Sequence, residues 1–331
     1  MKTILVTGCA GYIGGSFLYE ALLKGNQVIG VDNFSNSNEE RLMKIRKLFN
    51  ESFYFQKLDL SYDQKSLEDL LSKHSIEVVV HFAGLKSVPE SEIKKENYYK
   101  NNILGTKNLI NAMSNSQISE LVFSSSAAVY GNHKEQPVTE DSAPEPMSYY
   151  AETKLKCEEL ITDATKKSSL KSVILRYFNP LGAHNAGIFY EDIYASERNV
   201  LTNIMRVYLG IASEFFIYGY NFSTKDGTGV RDYIHIDDLV EGHFKAIEYL
   251  TSIDNYDVFN LGTNRGVSVK QLVDTFNSIS EKEINYKYLE RRPFDIPVSL
   301  ADANKSNKML NWSAKKTIKE MCESYLRIYK K

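Results

Sequence analysis

The sequence predicts an α/β protein: a doubly wound parallel sheet covered by helices on both faces, followed by a smaller C-terminal α/β lobe. Three observations carry this expectation. Strand-like and helix-like segments alternate through the first half. A glycine-rich turn, "TGCAGYIGG", joins the first strand to the first helix. After Asn179 the texture changes, and "PLGAHNAGIFYEDIYASERN" is irregular and long for a plain connection in a compact domain.

Each element has its own signal. "TILVTG" is a short apolar strand, after which Ile13, Phe17, Ala21 and Leu22 recur at helical spacing. "QVIGVD" is the second strand and "NEERLMKIRKLF" a charged helix. "FYFQKLD", "EVVVHFAG" and "ELVFSSS" supply three more strands, with helices near Ser66–Lys73 and Tyr98–Met113 between them. A further helix from about Tyr150 to Lys166 precedes "SVILRYFN". We therefore expect one domain over residues 1–179 and a second over 180–331. "DDLVEGHFKAIEYL" and "DVFNLG", at about 234–262, read as a helix and strand that return to the first.

Bulk properties narrow the function classes. The 331 residues suffice for two lobes, and 43% hydrophobic with 25% charged residues describes an ordinary globular chain. Forty basic against forty-two acidic residues give a formal charge of −2, so no global field recruits nucleic acid or an anionic membrane. No stretch approaches the roughly 20 apolar residues that span a bilayer. Cys9, Cys157 and Cys322 are odd in number and widely spaced, which suggests a reducing compartment and no zinc site. The opening "MKTILVTG" is too short for a signal segment, and a cytoplasmic location is expected. His74, His81, His133, His184, His235 and His243 show no paired ligand spacing, so no metal is assigned.

Gly8, Gly11 and Gly14 form G-x-x-G-x-x-G between strand and helix. Glycine there allows a tight turn and lets backbone amides approach a pyrophosphate at the helix N-terminus. Glycine turns at such junctions are common, so the second strand adds weight. It ends in Asp32, roughly twenty residues on, where a carboxylate bonds a ribose 2′-hydroxyl and repels a 2′-phosphate. The first domain is thus expected to be of Rossmann type and to bind NAD rather than NADP. Asp59, after the third strand, either meets the adenine edge or caps the next helix.

The chemical signal lies downstream. Tyr150 and Lys154 stand four residues apart in "SYYAETK", so a helix places them one turn apart. A phenol titrates near pH 10 and is a poor base at neutral pH unless a nearby cation stabilises the phenolate. Such a pair suits proton transfer at an alcohol undergoing oxidation. Tyr149 is adjacent but out of step with the lysine. Ser126, in "SSSAAVYG" at the end of the fifth strand, lies at the sheet edge where ligands bind, in place to relay that proton.

These residues resemble the extended short-chain dehydrogenase/reductase family and, within it, the branch that epimerises UDP-hexoses at C4. The likeness runs in order through "VTGCAGYIG", "VDNFSNS", "HFAGLKSVPES", "NNILGT", "FSSSAAVYG", "SYYAETK", "LRYFNPLGAH", "DGTGVRDYIHIDDL", "NLGTNRGVSV" and "RRPFDIP". It implies Tyr150 as acid/base, Lys154 as its electrostatic partner and ribose anchor, and Ser126 as relay and substrate contact. It implies an NAD site lined by the three glycines, Tyr12, Ile13, Asp32, Asn33, Asp59, Leu60, Phe82, Ala83, Lys86, Asn101, Tyr150, Lys154 and Phe178. The second domain would bind the UDP-sugar, with Asn179, Arg231 and Arg292 on the diphosphate and Asp295 on the uridine ribose. Tyr177 and Phe178 would border the reacting centre, and Tyr218, Val200 and Ser299 would line the substrate. The activity implied is NAD-dependent C4 epimerisation through a transient 4-keto sugar. Related members form homodimers through a four-helix bundle, for which the Tyr98–Met113 and Tyr150–Lys166 helices are candidates.

Rival readings differ by specific residues. Dehydratases of the family need an Asp-Glu pair just after the serines, where this chain has Ala127 and Ala128. A UDP-uronate epimerase is a further alternative, and net oxidation would be marked by accumulating NADH. A non-catalytic NAD-binding protein would be expected to lack the tyrosine, lysine or serine. Two departures bear on substrate. Ser299 stands where some relatives carry a bulky tyrosine, which leaves room for an N-acetyl group and implies turnover of both UDP-glucose/UDP-galactose and UDP-N-acetylglucosamine/UDP-N-acetylgalactosamine. Val200 replaces a second asparagine in "RNVLTN", where a backbone amide could still serve, and Gly187–Arg198 diverges from the pattern. Galactose utilisation and surface-polysaccharide supply both fit.

Overall fold

The structure, a computed structural model, describes residues 1–195 and 199–329. Chain order begins β1 (Thr3–Thr7), α1 (Tyr12–Leu23), β2 (Gln27–Asp32), α2 (Glu39–Leu48), β3 (Phe53–Lys57), α3 (Gln64–Lys73) and β4 (Val78–His81). Two short helices follow, α4 (Val88–Ile93) and α5 (Lys95–Tyr98), then a π-helical segment over Tyr99–Leu104 that runs into α6 (Gly105–Asn115). The expected single helix from Tyr98 to Met113 is therefore a composite, and α4 was not foreseen. Next come β5 (Glu120–Ser126), a 3₁₀ turn at Ala127–Tyr130, α7 (Tyr149–Lys167) and β6 (Lys171–Tyr177).

The remainder comprises β7 (Asn179–Leu181), α8 (Val200–Tyr208), β8 (Phe215–Tyr218), β9 (Val230–His235), α9 (Ile236–Tyr249) and β10 (Tyr256–Leu261). It closes with β11 (Gly266–Ser268), α10 (Val269–Asn277), β12 (Tyr286–Leu289), β13 (Val298–Ser299), α11 (Asn304–Leu310) and α12 (Ile318–Tyr329). The expected irregular stretch after Asn179 thus opens with a strand. No helix of the described residues is long and apolar enough to cross a membrane.

Seven strands form one sheet in the order β10-β6-β5-β4-β1-β2-β3, and the pairs from β3 to β5 are parallel. Strand order reverses at β1, where β2 leaves on one side and β4 on the other, and the crevice beyond the C-terminal ends of such strands is where this architecture binds ligands. Val78, Val79 and Val80 are all fully buried, as a central strand covered on both faces requires. One core packs Leu5, Ile29, Val79, Leu121 and Ile174 against Leu67, Leu70, Leu109, Met113 and Ile161 of the helices.

Two compact units result. The first comprises Met1–Val129, Pro146–Arg176 and Val240–Phe259; the second comprises Tyr130–Glu145, Tyr177–Leu239 and the chain from 260 onward. Against a split at 179, the division falls at Arg176, and the 130–145 excursion goes with the second unit. The excursion is tied there by backbone: Val138 donates to Leu300 at 2.9 Å and accepts from Asp302 at 2.8 Å. In the second unit β9 pairs with β7, β11 and β13, and β8 pairs with β12 as a separate ribbon. Its core gathers Leu201, Ile204, Met205, Phe215, Ile217, Leu272, Phe276, Met321 and Tyr325.

Candidate active site

The glycine turn is built by exclusion. Gly8 has φ +70°, and a Cβ there would stand 2.7 Å from the Ala83 nitrogen; a Cβ on Gly14 would meet the Gly8 carbonyl at 2.3 Å. Gly11 is the N-cap of α1 without any capping side chain, so the first amides of the helix point past the turn unobstructed. Tyr12 and Ile13 open the helix, half-buried. This cradle fits a pyrophosphate, because side chains are missing where backbone must come close.

Asp32 ends β2, buried, and is more engaged than expected. Its carboxylate accepts from the Ala10 amide at 2.9 Å, the Phe34 amide at 2.8 Å and the Ser37 hydroxyl at 2.8 Å. A carboxylate accepts at about four positions, so capacity for a ribose hydroxyl remains. Asn33 donates from its side chain to Asp59 at 2.9 Å. Asp59 also takes the Ser61 amide at 2.9 Å and the Ser61 hydroxyl at 2.6 Å, a turn of its own rather than a cap of α3. Burial pushes the Asp59 pKa up, but the bonds from Ser61 and Asn33 outweigh it and hold the group below the ordinary value. Leu60 is buried. Phe82 and Ala83 follow β4, half-buried; Lys86 is exposed, and Asn101 is half-buried on the π-helical segment.

The neighbouring Asn102 is a strap that the sequence did not advertise. Its side chain accepts from the Leu85 amide at 2.8 Å, donates to the Leu85 carbonyl at 3.1 Å and donates to the Thr153 hydroxyl at 3.0 Å. Thr153 in turn donates to the Tyr150 carbonyl at 2.7 Å. Behind it, His81 lies between the Thr7 hydroxyl at 2.6 Å and the Thr106 hydroxyl at 3.0 Å. Thr106 gives its proton to the Asn102 carbonyl at 2.6 Å, so His81 Nε2 carries a hydrogen and Nδ1 accepts. Burial, with Lys154 adding to it, lowers the His81 pKa to about 3, which keeps the ring neutral.

Tyr150 and Lys154 are both buried on one face of α7, whose N-cap is Ser148. Tyr149 faces elsewhere, with the Lys95 ammonium 5.2 Å above its ring. The three serines of β5 do three things. The Ser124 carbonyl accepts from Lys154 Nζ at 2.9 Å, the Ser125 hydroxyl donates to Glu158, and the Ser126 hydroxyl accepts from the Ala128 amide at 3.2 Å. Burial lowers the Lys154 pKa, against the raising fields of Cys157 and Glu158. A phenol, an ammonium and a hydroxyl thus stand at the C-terminal edge of the sheet.

In the second unit β9 gathers the other candidates. Ser299 of β13 is in register with Arg231, and Asn179 of β7 with Tyr233. Asn179 donates to the Asp232 carbonyl at 3.0 Å. Asp232 is fully buried and accepts from Thr263, Asn264 and Ala301, which locks β9 to its neighbours. Arg292 reaches Asp295 at 2.9 and 3.2 Å, Arg231 stands 3.7 Å from the same carboxylate, and the Arg292 guanidinium lies 4.9 Å over the Tyr218 ring. Two guanidinium groups converging on one carboxylate match what a diphosphate needs. Tyr177 ends β6, and Phe178 is buried with its amide on the Leu261 carbonyl at 3.2 Å. Val200 is the first residue of α8, behind the Asn199 cap, so its amide has no partner within the helix. The divergent stretch is described from Gly187 to Ala195; Ser196, Glu197 and Arg198 lie outside the described residues.

Residues 4–262 match the NAD dependent epimerase/dehydratase family. The chain belongs to that family. Among its relatives, UDP-glucose 4-epimerase of Bacillus subtilis is 41% identical over 320 residues, covering 96% of this chain and 94% of the relative. The crystal structure of UDP-glucose-4-epimerase from Stenotrophomonas maltophila, with bound NAD and formylated UDP-arabinopyranose, superposes with TM-score 0.95 at 36% identity, covering 99% and 98% of the two chains. The UDP-Glc/GlcNAc 4-epimerase of Campylobacter jejuni superposes with TM-score 0.87 at 30% identity over 100% and 99%.

What sequence reasoning missed in this epimerase/dehydratase member are the groups that hold the others: Asn102, Glu158 and Arg176. A signal existed for one of them. Tyr150, Lys154 and Glu158 recur every fourth residue, a polar stripe on the face that α7 buries. Among the described residues, no cluster of three or more His, Cys, Asp or Glu suits a metal ion.

Proposed function

We propose that the protein is a UDP-hexose 4-epimerase that keeps NAD bound and acts on UDP-glucose/UDP-galactose and on their N-acetylated counterparts. The observation that carries it is the buried Lys154, clamped on the Ser124 carbonyl one turn after Tyr150. An ammonium so placed favours the ionised phenol, which takes the proton of the sugar 4-hydroxyl, directly or through Ser126. NAD, when bound, would supply reversible two-electron chemistry at C4 with no net oxidation. Gly8, Gly11 and Gly14 would cradle its pyrophosphate, Asp32 and Asn33 its ribose, and Lys154 the second ribose. Tyr12, Ile13, Asp59, Leu60, Phe82, Ala83, Lys86, Asn101 and Phe178 would complete that site.

Inversion requires the sugar to present both faces to one base. Binding energy therefore belongs on the part that does not react. Arg231, Arg292 and Asn179 would grip the diphosphate, the Val200 amide would add to them, and Asp295 and Tyr218 would hold the nucleoside. Tyr177 would border the ring. Ser299 is small and half-buried, which supports N-acetylhexosamine turnover; relatives named for that activity are among the more distant structural neighbours. A homodimer paired through the Tyr98–Met113 stretch and α7 belongs to the same proposal; Tyr99, 50% exposed, offers an apolar anchor, and sedimentation velocity tests it.

The decisive experiment incubates purified protein with UDP-galactose and, separately, UDP-N-acetylgalactosamine without added NAD, and separates products by chromatography. Formation of the C4 epimer in both supports the full reading. Epimerisation of UDP-galactose alone removes the N-acetylhexosamine part, and accumulation of NADH without epimer overturns the whole.

A further inference from the structure

We propose that the buried ion pair of Glu158 and Arg176 positions the catalytic turn, holding Tyr150 and Lys154 against the serine end of β5. This rests on the epimerase reading. Glu158 lies one turn beyond Lys154 on α7 and is 4% exposed. Its carboxylate takes the Arg176 Nε at 3.1 and 3.2 Å and Nη2 at 2.6 Å, and also accepts from the Ser125 hydroxyl. Arg176 is on β6 and Ser125 on β5, so one carboxylate fastens the helix to two strands at once. Ser125 sits between Ser124, whose carbonyl holds Lys154, and Ser126. A shift of α7 along its axis would break these contacts together.

Stability does not explain such a pair. Two charges taken out of water recover little net free energy, and apolar residues of similar volume often serve as well or better. Geometry explains it, because a rigid bidentate fork fixes distance and angle where apolar packing tolerates sliding. Glu158 also adds negative potential at Lys154, in the sense that keeps the ammonium charged. The other groups facing Lys154 are Cys157 on α7, the neutral His81 on β4, and the Phe123 ring and Ser124 carbonyl on β5.

The test compares wild type, Glu158→Leu/Arg176→Met and Arg176→Lys, each purified and first shown to be folded by thermal unfolding. In the double variant we expect an unchanged or raised Tm, KM for UDP-galactose within about threefold, kcat lower by about 10- to 100-fold, and the alkaline limb of kcat moved to lower pH. Arg176→Lys, which keeps the charge but loses the fork, should fall between. A double variant that folds and retains wild-type kcat and pH profile overturns the proposal, as does a loss confined to KM. Should the double variant fail to fold, Arg176→Lys with undiminished kcat overturns it alone. Wild type that does not epimerise UDP-galactose defeats the epimerase reading instead, so the two failures are distinguishable.

Discussion

On the proposed reading a few side chains carry the chemistry, and their substitution gives the sharpest expectations. Tyr150→Phe removes the phenol one turn before the buried lysine; kcat should drop by about 10²- to 10⁴-fold, with UDP binding by calorimetry unchanged. Ser299→Tyr should suppress turnover of UDP-N-acetylgalactosamine while sparing UDP-galactose, and equal loss of both in parallel assays would reject the steric account. Gly8→Ala puts a methyl 2.7 Å from the Ala83 nitrogen at φ +70°. It should cost about 1–3 kcal/mol in urea unfolding and release cofactor on gel filtration. At this scale much was legible: the four-residue spacing of Tyr150 and Lys154 becomes proximity wherever a helix forms. The internal bonds of Asp32 were not, since they come from Ala10 and Ser37, which only the folded turn brings to it.

The elements were legible in proportion to their periodicity. β1, β2, β4 and β5 are apolar runs between turn residues, and α3 and α7 carry clean helical patterns. The segment from Val88 to Asn115 was not, because its helices are short and joined through a π-helical stretch. Nothing in local propensity favours that register; it is sustained by Asn102 bonding Leu85 and Thr153. Such departures cluster at functional sites. Asn102→Leu would strand the Leu85 amide and carbonyl, and we expect a loss of about 2–3 kcal/mol in urea unfolding, with kcat reduced through the Thr153 link to Tyr150.

For the molecule as a whole, buried histidines contribute to the response to acid. Burial lowers His81 and His235 to about 3 and His184 to about 4, with Lys154 also acting on His81 and Lys316 on His235. The unfolded chain protonates these rings near 6.5, so below that pH it binds more protons than the folded state. Their contribution to stability is therefore complete above about pH 6.5 and falls with acid, by about 1.4 kcal/mol per pH unit for each histidine. Urea unfolding at pH 7 and pH 5.5 checks this, and equal stabilities would refute it. By itself the sequence determined the sheet, the glycine turn, the acid at the end of β2 and the helix bearing Tyr150 and Lys154, because each is written in local spacing that a strand or helix converts directly into position. Only the tertiary structure decided that Asn102 straps the π-helical segment, that Glu158 meets Arg176 and Ser125, that Arg231 and Arg292 converge on Asp295, and that residues 130–145 join the second unit. Those contacts link residues distant in the chain, and their free energy exists only once the burial that excludes water has brought them together.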